Sequence, residues 1–387
     1  MADGGERLTV KLVEELAAIP AADWDACAGS DNPFLSHAFL QALEESGSAK
    51  RQTGWLPQHL VLEDESGRML GAVPMYLKSH SYGEYVFDHG WASGYERAGG
   101  SYYPKLLAAV PFTPVTGPRL LIHPDAGPDA ADYLIAAMIE VAQRRKVSSL
   151  HVNFPRREEW ERLGRLGFQQ RMGRQFHWEN EGYRSFDDFL EALNSRKRKQ
   201  IRRERRDALQ GGLEIETLSG KDLKTEHWDA FFRFYMSTSD RKWGSAYLTR
   251  EFFDLLHQRM AEKVVLILTK KNGRYVAGAL NLAGSDTLFG RNWGCIGDYP
   301  FLHFEVCYYR AIDFAIAKGL KRVEAGAQGQ HKIQRGYLPA PTYSAHWIRD
   351  PGFARAVGDF CARERRAIEN EMDELEEGLS PFKREAE

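Results

Sequence analysis

The chain has 387 residues, with 52 Lys and Arg against 54 Asp and Glu, 43% hydrophobic and 12% aromatic. That length exceeds what one core usually fills, so two domains are expected, and the composition excludes a disordered or collagen-like chain. The N-terminal stretch lacks the apolar core of a signal peptide, and no apolar run nears the ~18 residues that span a bilayer, so a soluble, cytoplasmic protein is expected.

Cys27, Cys295, Cys307 and Cys361 are scattered, with no CxxC pair. Neither a disulfide framework nor a metal site is therefore expected, and the cysteines read as buried or incidental thiols in a reducing setting. In chain order, Leu60 to Leu77 reads as strand, turn at Glu65-Ser66-Gly67 and strand, and Tyr85 to Gly94 as a third strand holding Trp91. A helix starts at Leu134, with apolar residues at 134, 135, 138, 139, 141 and 142, and is followed by a strand at Leu150 to Phe154. A short helix (Glu158 to Leu166) and a strand (Gln175 to Glu179) close the first half.

Eight of the eleven residues from Arg196 to Arg206 are basic: Arg196, Lys197, Arg198, Lys199, Arg202, Arg203, Arg205 and Arg206. Asn194-Ser195 reads as a helix cap, so this run starts a helix of its own over 195–208. Its charge suits an anionic partner, a polyphosphate or nucleic acid strand whose binding weakens with salt. Trp228 to Tyr235 and Glu251 to Arg259 supply further helices, and Arg241, Trp243 and Tyr247 between them pair cations with aromatic surface.

The first half then repeats. Leu266 to Ala283 is a hairpin around Asn272-Gly273, Thr287 to Gly297 a strand with Trp293, and Cys307 to Ala327 a helix capped at Gly319 and then a strand. Both halves therefore read as strand-strand-strand-helix-strand units. The fold class is mixed α/β, each unit a mainly antiparallel sheet with packed helices. Phe353 to Glu377 is a long terminal helix. The expected domains are 1–182, 183–352 and a helical tail, 353–387.

Candidate chemistry concentrates where the second unit leaves its last strand. From Glu324 to Tyr337, Gln328, Gln330, His331, Lys332, Gln334 and Arg335 supply donors for a carbonyl or phosphate, and Gly326 and Gly329 permit close backbone approach. Arg291 and Trp293 end a neighbouring strand and suit stacking plus a phosphate contact. Glu305 and Glu324 are candidate bases for an attacking amine. In the first half, Asp88 to Trp91 and Pro111 to Arg119 are poorer in charge, so that half is expected to serve shape more than chemistry. No GxSxG, HExxH or Walker A motif occurs.

Pro33 to Ser48, Leu193 to Arg206, Arg241 to Phe253 and Phe304 to Pro339 together make the chain resemble the FemAB-like branch of the GNAT superfamily. The resemblance spans about Pro33 to Pro351. It implies two tandem GNAT-like domains and acyl transfer to an amine, and Fem-type relatives take an amino acid from aminoacyl-tRNA. It makes the basic run a tRNA or phosphate contact, the Gln328 to Tyr337 loop a wall of the acceptor channel, and Lys332 or a backbone N–H the donor to the oxyanion. No permanently bound cofactor is implied. The anionic donor or acceptor is tRNA, CoA or a nucleotide-linked precursor. Neither Gly294 to Glu305 nor Pro114 to Ile122 carries the glycine-rich pyrophosphate loop of acetyl-CoA enzymes. Aminoacyl-tRNA is therefore favoured over acyl-CoA as donor, and a non-catalytic anion- or RNA-binding module is the reading from another class.

Overall fold

The computed structural model describes residues 8–242, 246–327 and 329–383. Two compact units emerge, one of Met1–Gly173 with Thr342–Ile368, the other of Arg174–Pro341 with Glu369–Glu387. These boundaries differ from 182/183 and 352/353 because long elements serve both units. The eleven-residue strand Gln169–Glu179 starts in the first and ends in the second, and Leu338–Ile348 runs the other way.

The first unit begins with β1 (Thr9–Val13), α1 (Ala21–Ala28) and α2 (His37–Glu45). It continues through β2 (Trp55–Pro57), β3 (His59–Glu63), β4 (Met69–Val73), β5 (Met75–Lys78), α3 (His89–Arg97), β6 (Lys105–Ala108) and β7 (Leu121–Ile122). Then come α4 (Ala130–Arg144), β8 (Ser149–Asn153), α5 (Arg157–Arg165) and β9 (Gln169–Glu179). β3 and β4 form the expected hairpin, in an antiparallel sheet ordered β1-β3-β4-β7. β2, β5 and β6 pair antiparallel, and β6 pairs parallel with β8. Leu134, Ile135, Met138 and Ala142 on one face of α4 are buried against Leu60, Leu62, Leu106 and Leu150, as the helical spacing dictates.

The strand before α4 that pairs with β8 is β6, and the stretch 85–94, expected as a strand, instead runs into the helix α3. There, Trp91 and Tyr95 stand four residues apart, on one face of α3, and pack with Tyr102, Ile348, Val357 and Cys361. A strand would have sent Trp91 and its neighbour Ala92 to opposite faces; both are buried here.

The second unit holds α6 (Phe186–Ala192), α7 (Ser195–Ala208), β10 (Leu213–Leu218), α8 (Thr225–Lys242), α9 (Arg250–Met260), β11 (Val264–Lys271), β12 (Arg274–Ala283) and β13 (Thr287–Cys295). A helical segment follows: α10 (Leu302–Phe304), a π turn (Glu305–Tyr309) and α11 (Arg310–Ala317). Next are β14 (Arg322–Glu324) and β15 (Leu338–Ile348), whose residues from 342 join the first unit and pair with β8, and α12 (Pro351–Leu379). Strands run β10-β11-β12-β13 antiparallel, then β14 parallel to β13, with β9 antiparallel beyond it. Asn272 and Gly273, both left-handed, make the tight β11–β12 turn. Val306, Ile312 and Ala315 pack on Ile267, Ala279, Leu288 and Val323. Each unit thus has a parallel strand pair joined by a helical crossover, β6-α4-β8 and β13-α11-β14.

Candidate functional site

The second unit's parallel pair is short. Thr287, Leu288 and Phe289 pair with Arg322, Val323 and Glu324, and there the pairing stops. β13 runs on to Cys295, its pairing with β12 shifted by an irregularity at Leu280/Asn281, while the other chain turns away after Glu324. The two parallel strands therefore part after Glu324. Gly294 lies so close to α8 that a Cβ there would clash with the Phe234 carbonyl, which fixes glycine at that place.

Glu324 is the last residue of β14 and is buried. Its Oε1 lies 3.9 Å from His177 Nε2 on β9, and its Oε2 has no hydrogen-bond partner among the described residues. Burial pushes this carboxyl up to about 8, against the opposing pull of Arg322. Burial, helped by Arg322 and Lys332, pushes His177 down to about 3. Burial thus disfavours the charged form of both groups, and the contact is not held as an ion pair.

Past Gly326 the chain forms a short 3-10 helix, Gln330–Arg335. Lys332 is buried and donates to the carbonyl oxygens of Ala325 and Gly326, so its ammonium holds the start of the loop. Arg335 is buried too, in a two-point pair with Glu204, its guanidinium 3.5 Å above the Phe304 ring. Tyr337, fully buried, donates to the Tyr308 carbonyl at 3.0 Å and belongs to the core, not to a channel wall. Gln330 and His331 are exposed, and His331 Nε2 lies 3.1 Å from the Tyr308 hydroxyl. Glu305, also fully buried, accepts from Arg205 at 3.1 and 3.2 Å and from Arg310 at 2.8 Å. It anchors the π turn. The expectation of a free base at Glu305 is corrected by those two guanidinium partners.

Trp293 lies 5.4 Å from the His303 ring, which lies 5.2 Å from Tyr308 and 6.3 Å from His331. Arg291, the extra residue where the β12–β13 register shifts, pulls against the upward shift of Glu324. Trp293, His303, Tyr308 and His331 thus form an aromatic wall. The sequence pattern does not single out His303, Tyr308 or His177; their signal is only aromatic density around Phe304. Gln328 and Trp243, and the side chain of Arg241, lie outside the described residues.

The basic run forms α7, with Asn194 Oδ1 accepting from the Lys197 N–H at its cap. Its charges are sorted by face rather than spread. Ile201, Glu204 and Ala208 are buried; Arg196, Lys199, Arg202, Arg203 and Arg206 are exposed on the opposite side. Arg205 turns inward to Glu305 and Asp313, and Lys197 donates to Gln334 at 2.8 Å. Arg202 pairs with Asp187 and Arg206 with Asp207. Arg205 and Lys197 therefore tie α7 to the helix and loop beneath, and the outward stripe, with Arg198 at its edge, is what an anion can meet.

A family model for FemAB-like proteins, described as peptidoglycan biosynthesis/recognition, matches residues 15–384. The chain belongs to the FemAB-like family. No curated protein matches it by sequence. This FemAB-like chain is similar in structure to FemX, at a TM-score of 0.55 and 12% identity over 88% of this chain and 98% of that one. It is similar to the C-terminal domain of an Agrobacterium fabrum protein assigned as a lysylphosphatidylglycerol synthetase (0.55, 10% identity, 89% and 95% covered). It is also similar to L-PGS from Bacillus licheniformis (0.52, 9% identity, 86% and 98% covered). The fold class is the expected one, mixed α/β with mainly antiparallel strand pairing. No helix of the described residues is long and apolar enough to cross a membrane.

The first unit of the FemAB-like chain is not poor in charge; its charges are hidden. Lys105 donates to Glu84 Oε2 and to Ser81 Oγ, each at 2.8 Å, and to Asp88, with all four side chains buried. Tyr102 donates to Asp88 at 2.7 Å, and the His151 and His346 Nδ1 atoms lie 2.6 Å apart. Glu84, Lys105 and the two histidines fall outside the expected site because each is a single residue in an ordinary-looking segment.

Proposed function

We propose that the protein is an aminoacyltransferase that forms an amide on an amine acceptor, with aminoacyl-tRNA as donor and Glu324 as the group that moves the proton. The observation that carries this reading is the Glu324 carboxyl, buried beside His177 where β13 and β14 part, with an oxygen that no described residue bonds. A carboxyl pushed up to about 8 can, in its carboxylate form, take the proton that an attacking amine loses as the carbon–nitrogen bond forms.

In this mechanism the acceptor nitrogen attacks the ester carbonyl carbon of the donor. A carbon–nitrogen bond forms, and the ammonium proton passes to Glu324 in its carboxylate form. The ester carbon–oxygen bond then breaks, and Glu324 returns the proton to the departing ribose oxygen, which leaves as a hydroxyl. Trp293, His303 and Tyr308 wall the acceptor against water, and exposed His331 donates or accepts at its rim. The outward cations of α7 draw the tRNA phosphates. The family's link with peptidoglycan points to an acceptor amine on a cell-wall precursor.

The test is release of deacylated tRNA by the full chain, supplied with mixed aminoacyl-tRNAs and an amine-bearing peptidoglycan precursor. Glu324→Gln should lower amide formation by about 10²–10⁴-fold while leaving RNA binding intact and the protein folded. Amide formation from acyl-CoA alone overturns the donor, and undiminished transfer by Glu324→Gln overturns the role of the carboxyl.

A further inference from the structure

In the first unit, the segment from His80 to His89 alternates between buried anchors and exposed rings. Ser81, Glu84 and Asp88 point inward and all meet Lys105. Tyr82 and Phe87 each stand 61% exposed, and His89 is exposed as well. Tyr82 and Phe87 both neighbour the His89 ring, at 6.1 and 6.5 Å, and His80 lies 5.1 Å from Tyr82. The four rings make one ledge.

This ledge is held rigidly. The Tyr82 carbonyl accepts from Lys78, the Gly83 carbonyl from the Phe112 N–H at 3.2 Å, and the Phe87 carbonyl from Arg171 at 2.7 Å. His80 is fixed at both nitrogens, by the Tyr82 N–H and the Thr53 carbonyl. Tyr85, between the two exposed rings, adopts a left-handed backbone that a bulky residue takes only under constraint. Large rings kept in water on a fixed frame, at no benefit to folding, mark a surface built for contact.

The ledge offers no net charge. Lys78 and Lys105 are matched by Glu84 and Asp88, Arg171 by Glu364 at 2.6 Å, and burial lowers His80 from its ordinary value. The buried groups behind the rings thus offer no free cation to a phosphate or an anionic lipid headgroup. Ring faces flanked by ring-edge hydroxyl and nitrogen atoms suit a pyranose, whose C–H face is apolar and whose rim is polar. The family's association with peptidoglycan recognition supplies a polymer of that kind.

We propose that the Tyr82–Phe87–His89 ledge is a carbohydrate-binding surface that takes uncharged N-acetylhexosamine units of a glycan chain. It is separate from the transfer chemistry of the second unit and stands whether or not that reading survives.

The probe is tetra-N-acetylchitotetraose, titrated into the full chain by calorimetry, with the His80 and His89 ring signals followed by NMR. Wild type should bind and shift both ring signals. Tyr82→Ala/Phe87→Ala should weaken binding at least about tenfold with melting unchanged, while Tyr133→Ala, a ring 50% exposed on α4, should bind as wild type does. If the double variant melts early, the wild-type ring signals alone decide. The proposal is overturned if wild type ignores the sugar, if sugar shifts signals elsewhere but not these, or if the ledge rings respond to phosphatidylglycerol vesicles instead.

Discussion

Arg335 and Glu204 form a two-point ion pair, 2.8 Å between Nη2 and Oε1 and 3.1 Å between Nε and Oε2, that fastens the loop after β14 to the basic helix α7. Both side chains are buried, and the Tyr309 hydroxyl donates to the same carboxylate. The helix that carries the outward cations is thereby set by a contact with the loop that borders Glu324.

Breaking that pair from one side strands a buried charge. Glu204→Ala should destabilise the protein by about 3–5 kcal/mol, read by urea denaturation. It should also loosen the loop, raising hydrogen exchange at 329–337. A wild-type exchange pattern in a folded variant would show that the loop does not depend on the pair.

Glu324 should make stability fall with rising pH. Its folded value near 8 stands above its unfolded value, so its contribution is complete below about 4.5 and is lost as pH rises towards 8. Glu324→Gln should flatten the melting-temperature profile between pH 5 and 8 and lower the transfer rate by about 10²–10⁴-fold. Parallel profiles for the two proteins would count against a titrating carboxyl.

The two sides of α7 should respond differently to charge change. Reversing Arg196, Lys199 and Arg203 to Glu removes outward cations and should cut the salt slope of tRNA binding by roughly 2–3 units, with melting nearly unchanged. Arg205→Glu faces Glu305 and Asp313 and should instead destabilise the fold. Filter binding across a salt series beside thermal melts separates the two. Equal effects on both readouts would mean that the face assignment is wrong.

The His151–His346 contact sets an acid limit. Burial lowers His151 to about 3, with Lys105 adding to the effect, and holds His346 well below its ordinary value. The unfolded imidazoles take up protons near 6.5, so stability should fall as pH drops from about 6.5 towards 3. A His151→Phe/His346→Phe variant should lose much of that slope in calorimetric scans. An unchanged slope would place the acid sensitivity elsewhere, with the Lys105 carboxylates the next group to substitute.

Much of the second unit's skeleton is legible in the sequence. Asn272-Gly273 makes a tight turn, left-handed Gly319 ends the helix of the second unit, and Asn194 caps α7, because these signals act between near neighbours in the chain. The aromatic residues of the stretch 85–94 suit strand and helix alike, and packing against Val357 and Cys361 decides for helix. Arg335, Tyr337 and Glu305 look available for ligand in the sequence, which shows a polar side chain without its partner. Their partners are 131, 29 and 100 residues away in Glu204, Tyr308 and Arg205.

By itself the sequence determined most of the second unit's local elements, the family and the concentration of positive charge over 196–206, all carried by residues near one another in the chain. The tertiary structure alone decided which of those cations face water, which strand-end carboxyl keeps an oxygen without a hydrogen-bond partner among the described residues, and which aromatic rings stay exposed. Each of those properties is set by distance and burial between segments far apart in the chain, because a charge acquires its chemistry from what surrounds it rather than from what precedes it.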